Sequence, residues 1–382
     1  MKKSLSVLAI ILLSTSLFAF EWGGIIGATE YTEDAIDSLS FKQYADADLW
    51  FRANFGENLY LSGDMFYSFD YDFASPSFSD GCSQKLDLNS FTFRGNFDLA
   101  QSDWNLAFSL GRFNVSDITS LVLAQKIDGA GVSFTSQQSY SIKLYGGYTG
   151  LLNSQTVTMY SPDYTAKNTI LYSFAVPYAI AGLNAQFTSL FANQNFSLEA
   201  ITALDAQDFS YNRAYVDLSL DGPIYKSLYY AMATSFALIF DNSLLETSSQ
   251  FSWGNLSKAE IMYFFNWNSL VVDASVVYIT DDFTSITSQE ATAPGDYYDS
   301  IAKAGLTASA KFFNVLFLAV GCDAVFEVSS YIPSYSGVQY DVSLRYKPLD
   351  DLQIATSVSQ FFYADANKPS YLCAKGSVKL SF

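Results

Sequence analysis

From residue 41 onward, apolar and polar side chains alternate one by one. Phe41, Ala45, Ala47, Leu49, Phe51, Ala53 and Phe55 share one parity, broken only by Gln43. Lys42, Tyr44, Asp46, Asp48, Trp50, Arg52 and Asn54 share the other. Successive side chains of a strand point to opposite faces, so this period predicts a strand with one greasy and one wet side. After a turn at Gly56-Glu57-Asn58 the pattern resumes. Leu59, Leu61, Gly63, Met65, Tyr67, Phe69, Tyr71 and Phe73 oppose Ser62, Asp64, Ser68, Asp70 and Asp72, with Tyr60 and Phe66 on the polar side. Further along, Phe91, Phe93 and Phe97 oppose Thr92, Arg94 and Asn96. Ile142 and Leu144 oppose Lys143 and Tyr145; Val216 and Leu218 oppose Arg213, Asp217 and Ser219; Val342 and Leu344 oppose Asp341, Ser343 and Arg345. Residues 168–178, 225–239, 257–265 and 313–327 are apolar on both faces in places. Their strand-forming side chains and short flanking turns still predict strands, with a helix as the local competitor at 225–239.

Short connections at 56–58, 100–103, 136–139 and 347–350 contrast with longer ones near 28–40, 74–87, 151–167 and 281–299. At about 20 residues per strand and connection, the chain beyond residue 19 yields about 18 strands, within a range of about 16 to 20. Short turns at one end and long loops at the other describe an all-β fold: one closed antiparallel transmembrane β-barrel over residues 20–382. No shift of composition marks a second domain.

Composition supports closure over a soluble sheet. The 382 residues are 50% hydrophobic, 17% aromatic and 15% charged, where a soluble domain carries about 25% charge. Outside the N-terminus no apolar run reaches the ~18 residues of a membrane helix. A soluble sandwich would need protective charge along its edges. A closed barrel has no edges and satisfies every backbone amide in lipid.

Chemistry is narrowed by absence. The chain has no His, which removes Ser-His-Asp triads, Cys-His pairs and imidazole metal sites. Its 20 basic and 38 acidic residues give a net charge of −18, which disfavours nucleic acid as a partner. Cys82, Cys322 and Cys373 allow at most one disulfide, contain no CxxC and read as small apolar fillers. No catalytic group, cofactor or metal site is expected. Asp46 and Asp48 share a face but read as wall charges, and Asp281-Asp282 as solvated loop charge.

Residues 1–19 have the order of an export signal: Lys2 and Lys3, an apolar core from Leu5 to Leu13, then the smaller residues Ser14, Thr15, Ser16 and Ala19. At the other end, Leu372, Ala374, Gly376, Val378, Leu380 and Phe382 oppose Tyr371, Cys373, Lys375, Ser377, Lys379 and Ser381. With this strand the sequence resembles bacterial outer-membrane β-barrel proteins of porin-like type. The stretch from Leu110-Gly111-Arg112 to Lys126-Ile127-Asp128-Gly129 is similar to segments of porin-type and alginate-export-type barrels. The resemblance implies residence in the bacterial outer membrane, with lipid as surroundings and the barrel-assembly machinery as a partner. That machinery would read Tyr371, Val378, Leu380 and the terminal Phe382.

A barrel of this width leaves an aqueous lumen unless loops fill it. The side chains expected to line it are Asp46, Asp48, Arg52, Asp64, Asp70, Asp72, Arg94, Lys143, Arg213, Asp217, Arg345, Lys375 and Lys379. Glu30, Glu33, Asp34, Asp37, Asp281, Asp282, Glu290, Asp296 and Asp299 fall in long loops and would form an acidic vestibule. Arg52, Lys143, Arg213, Arg345 and Lys379 would form a basic floor at the periplasmic end. The expected function is passive diffusion of small hydrophilic solutes or ions. A fatty-acid-type channel with a hatch built from residues 20–40 and an adhesive surface barrel are the alternatives. Oligomeric state is left open.

Overall fold

The computed structural model describes residues 20–382 except 36–37, 75–80, 100–102, 137–138, 150–177, 207–208, 210, 242–249 and 288–299. The expected export signal (1–19), the loop at 151–167 and nearly all of 168–178 lie outside the described residues. Eighteen strands make up the fold: β1 (Phe20–Ala35), β2 (Ser38–Phe55), β3 (Leu59–Asp72), β4 (Cys82–Asp98), β5 (Trp104–Ser116), β6 (Ala124–Ser136), β7 (Tyr140–Tyr148), β8 (Tyr178–Phe191), β9 (Gln194–Asp205), β10 (Tyr211–Tyr225), β11 (Leu228–Asp241), β12 (Gln250–Phe264), β13 (Val271–Ile279), β14 (Ile301–Phe312), β15 (Leu316–Ser329), β16 (Ile332–Tyr346), β17 (Leu352–Tyr363) and β18 (Tyr371–Ser381). Each pairs antiparallel with its neighbours in sequence, and β18 pairs with β1. The sheet is therefore a closed barrel. At the seam Gly24 and Phe382 exchange backbone hydrogen bonds, each 3.0 Å.

The alternation decides which way each strand faces. Cross-strand partners share a face, so one registered pair orients the next strand. Leu49, Met65, Leu110, Leu144, Val216, Phe236 and Leu306 point outward and are exposed. Aromatic pairs gird the outer face at both ends. Phe55–Phe93, Phe97–Phe108 and Phe187–Phe196 lie near the short turns. Phe41–Phe73, Phe240–Phe251 and Tyr340–Phe362 lie near the opposite rim. An apolar belt between two aromatic girdles is the outer surface that a bilayer requires.

The two rims differ. One carries the short connections 56–58, 192–193, 226–227 and 313–315 together with Phe20 and Phe382. The other carries the strand ends Asp72, Ser116, Tyr148, Asp241 and Ile279 and the described connection 117–123.

Four boundary expectations are corrected. Residues 28–35 and 38–40 are wall, because β1 starts at Phe20 and reaches Ala35 and β2 starts at Ser38. Gly23, Gly24 and Gly27 hide its alternation, and its acidic end reads as a loop. Residues 20–35 are thus not a hatch. Residues 82–87, expected in a loop, begin β4. Residues 313–315 form a turn before β15, and 226–227 a turn before β11, so no helix forms there. None of the three cysteines is in a disulfide.

Candidate functional site: the narrowed lumen

The inner face carries the charge. Asp46, Asp48 and Arg52 on β2 register with Ser68, Phe66 and Ser62 on β3, which places Asp64, Asp70 and Asp72 on the same face. Arg94 on β4 pairs with Tyr60, and Lys143 on β7 with Ser133. Arg345 on β16 and Lys375 and Lys379 on β18 carry basic charge across the β1–β18 seam to the same side of the lumen. Asp48 stands within electrostatic reach of Asp64, Asp46, Lys379 and Lys126. Lys85 pairs with Asp70 at 3.2 Å. Arg52 lies over the Tyr60 ring at 4.1 Å and donates to Asn54 at 2.9 Å.

A lumen of 18 strands would be broad, but two connections fold into it. The first is the far half of the β5–β6 hairpin with its connection 117–123. Gly111 sits opposite Gly129 and adopts φ +113°, a left-handed value that a side chain disfavours. A Cβ there would also strike the Phe91 carbonyl oxygen at 2.2 Å. Beyond this pair neither hairpin face belongs to the lipid belt. Arg112 and Asp128 are mostly enclosed, and Phe113, Val115 and Ile127 are buried. Arg112 donates to both Asp128 oxygens, at 2.8 and 2.9 Å, and stands 3.9 Å from Asp87. Its Nη1 also donates to the Leu88 carbonyl at 3.1 Å.

The second infolded segment is 280–287. Its Ile286 and Thr287 amides donate to the Val122 carbonyl, at 2.8 and 3.1 Å. The Ala124 amide answers by donating to Thr287 Oγ1 at 3.0 Å. Val122, Leu123, Phe283 and Ile286 pack with Tyr178, Ile180, Ile201, Tyr215, Ile239 and Leu256 in one buried apolar cluster.

Polar anchors tie both segments to the wall. Glu199 accepts from the Ile118 amide (2.9 Å), Asn184 Nδ2 (3.1 Å) and Tyr145 OH (3.0 Å). Lys258 Nζ donates to the Thr119 carbonyl at 2.6 Å. Arg213 donates to the Ser285 carbonyl at 2.7 Å, and Tyr215 OH to the Thr284 carbonyl at 2.5 Å. Asp117 organises its own loop by accepting from the Thr119, Val122 and Leu123 amides and from the Thr119 hydroxyl.

Arg213 is therefore misplaced by the sequence reading. It lies two residues past the start of β10, at the long-loop rim rather than in a periplasmic floor. It is 1% exposed, and Asp217 is 0% exposed. Both face inward but lie beneath the packed segments. Asp281 and Asp282 hold the 330–331 turn: the Ser330 amide donates to Asp281 and Tyr331 OH to Asp282, each at 2.7 Å. Glu290, Asp296, Asp299 and Asp37 lie outside the described residues.

Arg112, Asp128, Lys126, Glu199 and Lys258 were not among the side chains expected to line the lumen, although the first three fall in the stretch that resembles porin-type segments. The paired glycines at 111 and 129 were the available signal for the first three, since a doubled loss of side chain in facing strands marks a bend.

No protein-family model and no curated protein sequence matches the chain. Solved structures do. Pseudomonas aeruginosa OccK9 (OpdG) is 11% identical with a TM-score of 0.63, covering 95% of this chain and 98% of that one. The outer membrane protein OpdK of the same organism is 10% identical, with a TM-score of 0.63 over 95% and 98% of the two chains. OccK2 (OpdF), solved in complex with glucuronate, is 10% identical with the same TM-score and coverage. The likeness is one of fold: these are porin-like barrels.

Proposed function

We propose that this chain is a bacterial outer-membrane channel that lets small hydrophilic solutes or ions diffuse passively through a narrowed lumen. One observation carries the reading. The barrel is closed, girdled by aromatics around an apolar outer belt, and charged on its inner face. Such a surface is stable only with lipid outside and water inside. The short-turn rim then faces the periplasm and the long-loop rim the exterior. The C-terminal strand supports assembly in that membrane, with Val378, Leu380 and Phe382 outward and Tyr371 inward beside Tyr31.

The infolded segments make this a selective passage rather than an open pore. A route narrowed by Arg112, Asp128, Lys126, Asp64 and Asp48 exposes every solute to fixed charge of both signs, and charged walls tune selectivity. The fatty-acid alternative loses its hatch, because residues 20–35 are spent on β1.

Planar-bilayer recording tests the proposal. Discrete single-channel currents in KCl are expected, together with swelling of liposomes in small sugars or amino acids. Liposomes containing the folded barrel that neither swell nor conduct would leave the adhesive reading standing. A reversal potential in a KCl gradient reads the selectivity directly.

A further inference from the structure

The packed segments 117–123 and 280–287 close the lumen over part of its section, and the strand ladder shows where the closure stops. Asp217, Ser235, Leu256 and Ile279 form one continuous inward row across β10, β11, β12 and β13. Each is at most 1% exposed. The next three inward rows toward the short-turn rim, headed on β10 by Ser219, Asp221 and Pro223, line one cavity of about 790 Å³. Ile118 joins its upper end, where Lys258 holds the Thr119 carbonyl at 2.6 Å. The turn residues Asn193, Lys226 and Ser227 join its lower end. The cavity is therefore a recess, sealed toward the long-loop rim.

Charged groups of both signs line it. Lys258 stands at the top and Lys226 at the bottom, with Asp221, Glu260 and Asp273 between them. None of the five is in an ion pair among the described residues. A small ion of either sign therefore meets its own sign along the wall. A hydroxyl does not: it donates to a carboxylate and accepts from an ammonium, so one neutral group serves both. Asn195 adds an amide to the polar side, 2.9 Å from the Asp221 carboxylate. The lower end is aromatic. Tyr229 and Phe264 meet edge to face, with ring centroids 5.3 Å apart at 82°, and both line the recess while staying partly exposed. The face of such a ring is electron-rich. It suits the C–H side of a saturated ring whose rim hydroxyls reach the polar wall. Apolar faces with a few convergent polar groups, around a volume of this order, are the usual form of a small-molecule site.

We propose that this recess is a binding subsite for a neutral polyhydroxylated ring, a sugar, entered from the lumen below the infolded segments. It rests on the channel reading, which supplies the water-filled lumen, and names a substrate class for it. The apolar face of the sugar lies on Tyr229, and its hydroxyls pair with Glu260 and Asp221. The sealed row above makes the recess a holding place beside the route rather than a stretch of it.

Sucrose is the probe, observed by saturation-transfer NMR on the full chain folded in detergent. Saturation of its ring protons should rise and level off with sucrose concentration. Agmatine and gluconate, charged probes of opposite sign, should give markedly less. In the Tyr229→Ala/Glu260→Ala double variant the half-saturating concentration should rise about tenfold, the loss of one ring contact and one hydrogen bond. Ser343→Ala, on β16, should leave it unchanged. Ser275→Trp, which fills the recess, should abolish the signal while single-channel currents in KCl persist. Heat-modified migration on gels verifies that each variant is folded. The subsite is overturned by a wild type without a saturable sucrose signal, by charged probes as strong as sucrose, by an unchanged double variant, or by a signal that survives Ser275→Trp. Wild-type currents would in each of those cases still uphold the channel. A sucrose signal that follows the variants in a barrel passing no current upholds the recess and removes the channel reading instead.

Discussion

The Arg112 guanidinium grips both oxygens of Asp128 at 2.8 and 2.9 Å, one residue beyond the point where Gly111 faces Gly129. The glycines permit the bend and the ion pair fixes it. Arg112→Ala should leave Asp87 and Asp128 enclosed without their cation. Breaking an enclosed pair from one side costs about 3 to 5 kcal/mol. A lower urea midpoint and noisier, larger single-channel currents are expected. Arg112→Lys should rescue only part, because an ammonium cannot make the two-pronged contact. Quiet currents of wild-type size in Arg112→Ala would show that the pair does not hold the narrowing.

Glu199 is the wall anchor of the segment 117–123, accepting three hydrogen bonds that include the Ile118 amide. Hydrogen bonds to a charged group contribute about 1.5 to 3 kcal/mol each. In Glu199→Ala the segment should swing, and the open-channel conductance should rise with little change in barrel assembly. Glu199→Gln keeps the size and one acceptor and should fall between. Identical conductance in all three proteins would refute the anchor.

Leu306 and Thr307 are neighbours on β14 that face opposite ways, Leu306 to the belt and Thr307 to the lumen beside Asp273. Arginine on the lipid face near mid-depth destabilises a barrel by about 2 to 4 kcal/mol. Leu306→Arg should therefore unfold at lower urea in vesicles, whereas Thr307→Arg should keep the wild-type midpoint and alter conductance instead. The reverse ranking would turn the barrel inside out and end the membrane reading.

Tyr331 closes a latch at the rim that carries residues 280–287. Its hydroxyl donates to Asp282 at 2.7 Å and its ring stacks on Trp253. The Asp282 carboxylate, by accepting that proton in a hydrogen bond, pushes the phenol up from its ordinary value of 10.0 to about 12. A raised pKa means that the latch is fully present below pH 10 and is lost as pH climbs through about 12. Ultraviolet titration should lose one tyrosine from the phase near pH 12 in Tyr331→Phe, with the rest of the curve unchanged. No difference between the two curves would refute the latch.

The alternation legible at residues 41–73 is enough to orient β2 and β3, because a lipid-facing row tolerates no charge. It fails where side chains vanish or serve loops. β1 escapes because Gly23, Gly24 and Gly27 leave blanks in the row, and its terminal acids resemble a solvated connection. Arg213 shows a second limit. Parity reveals its face, but not which rim it approaches or what covers it, since that depends on segments more than 70 positions away.

The seam joining β1 to β18 has a kinetic corollary. Tyr31 and Tyr371 meet although 340 positions separate them. Every other neighbouring pair of strands can form as a local hairpin. This last junction must wait for the whole polypeptide, and until then two long unpaired margins stay open to stray partners. Loop-closure entropy makes such a distant junction slow, so the nascent protein depends on being kept from aggregating until its first and last strands can find each other.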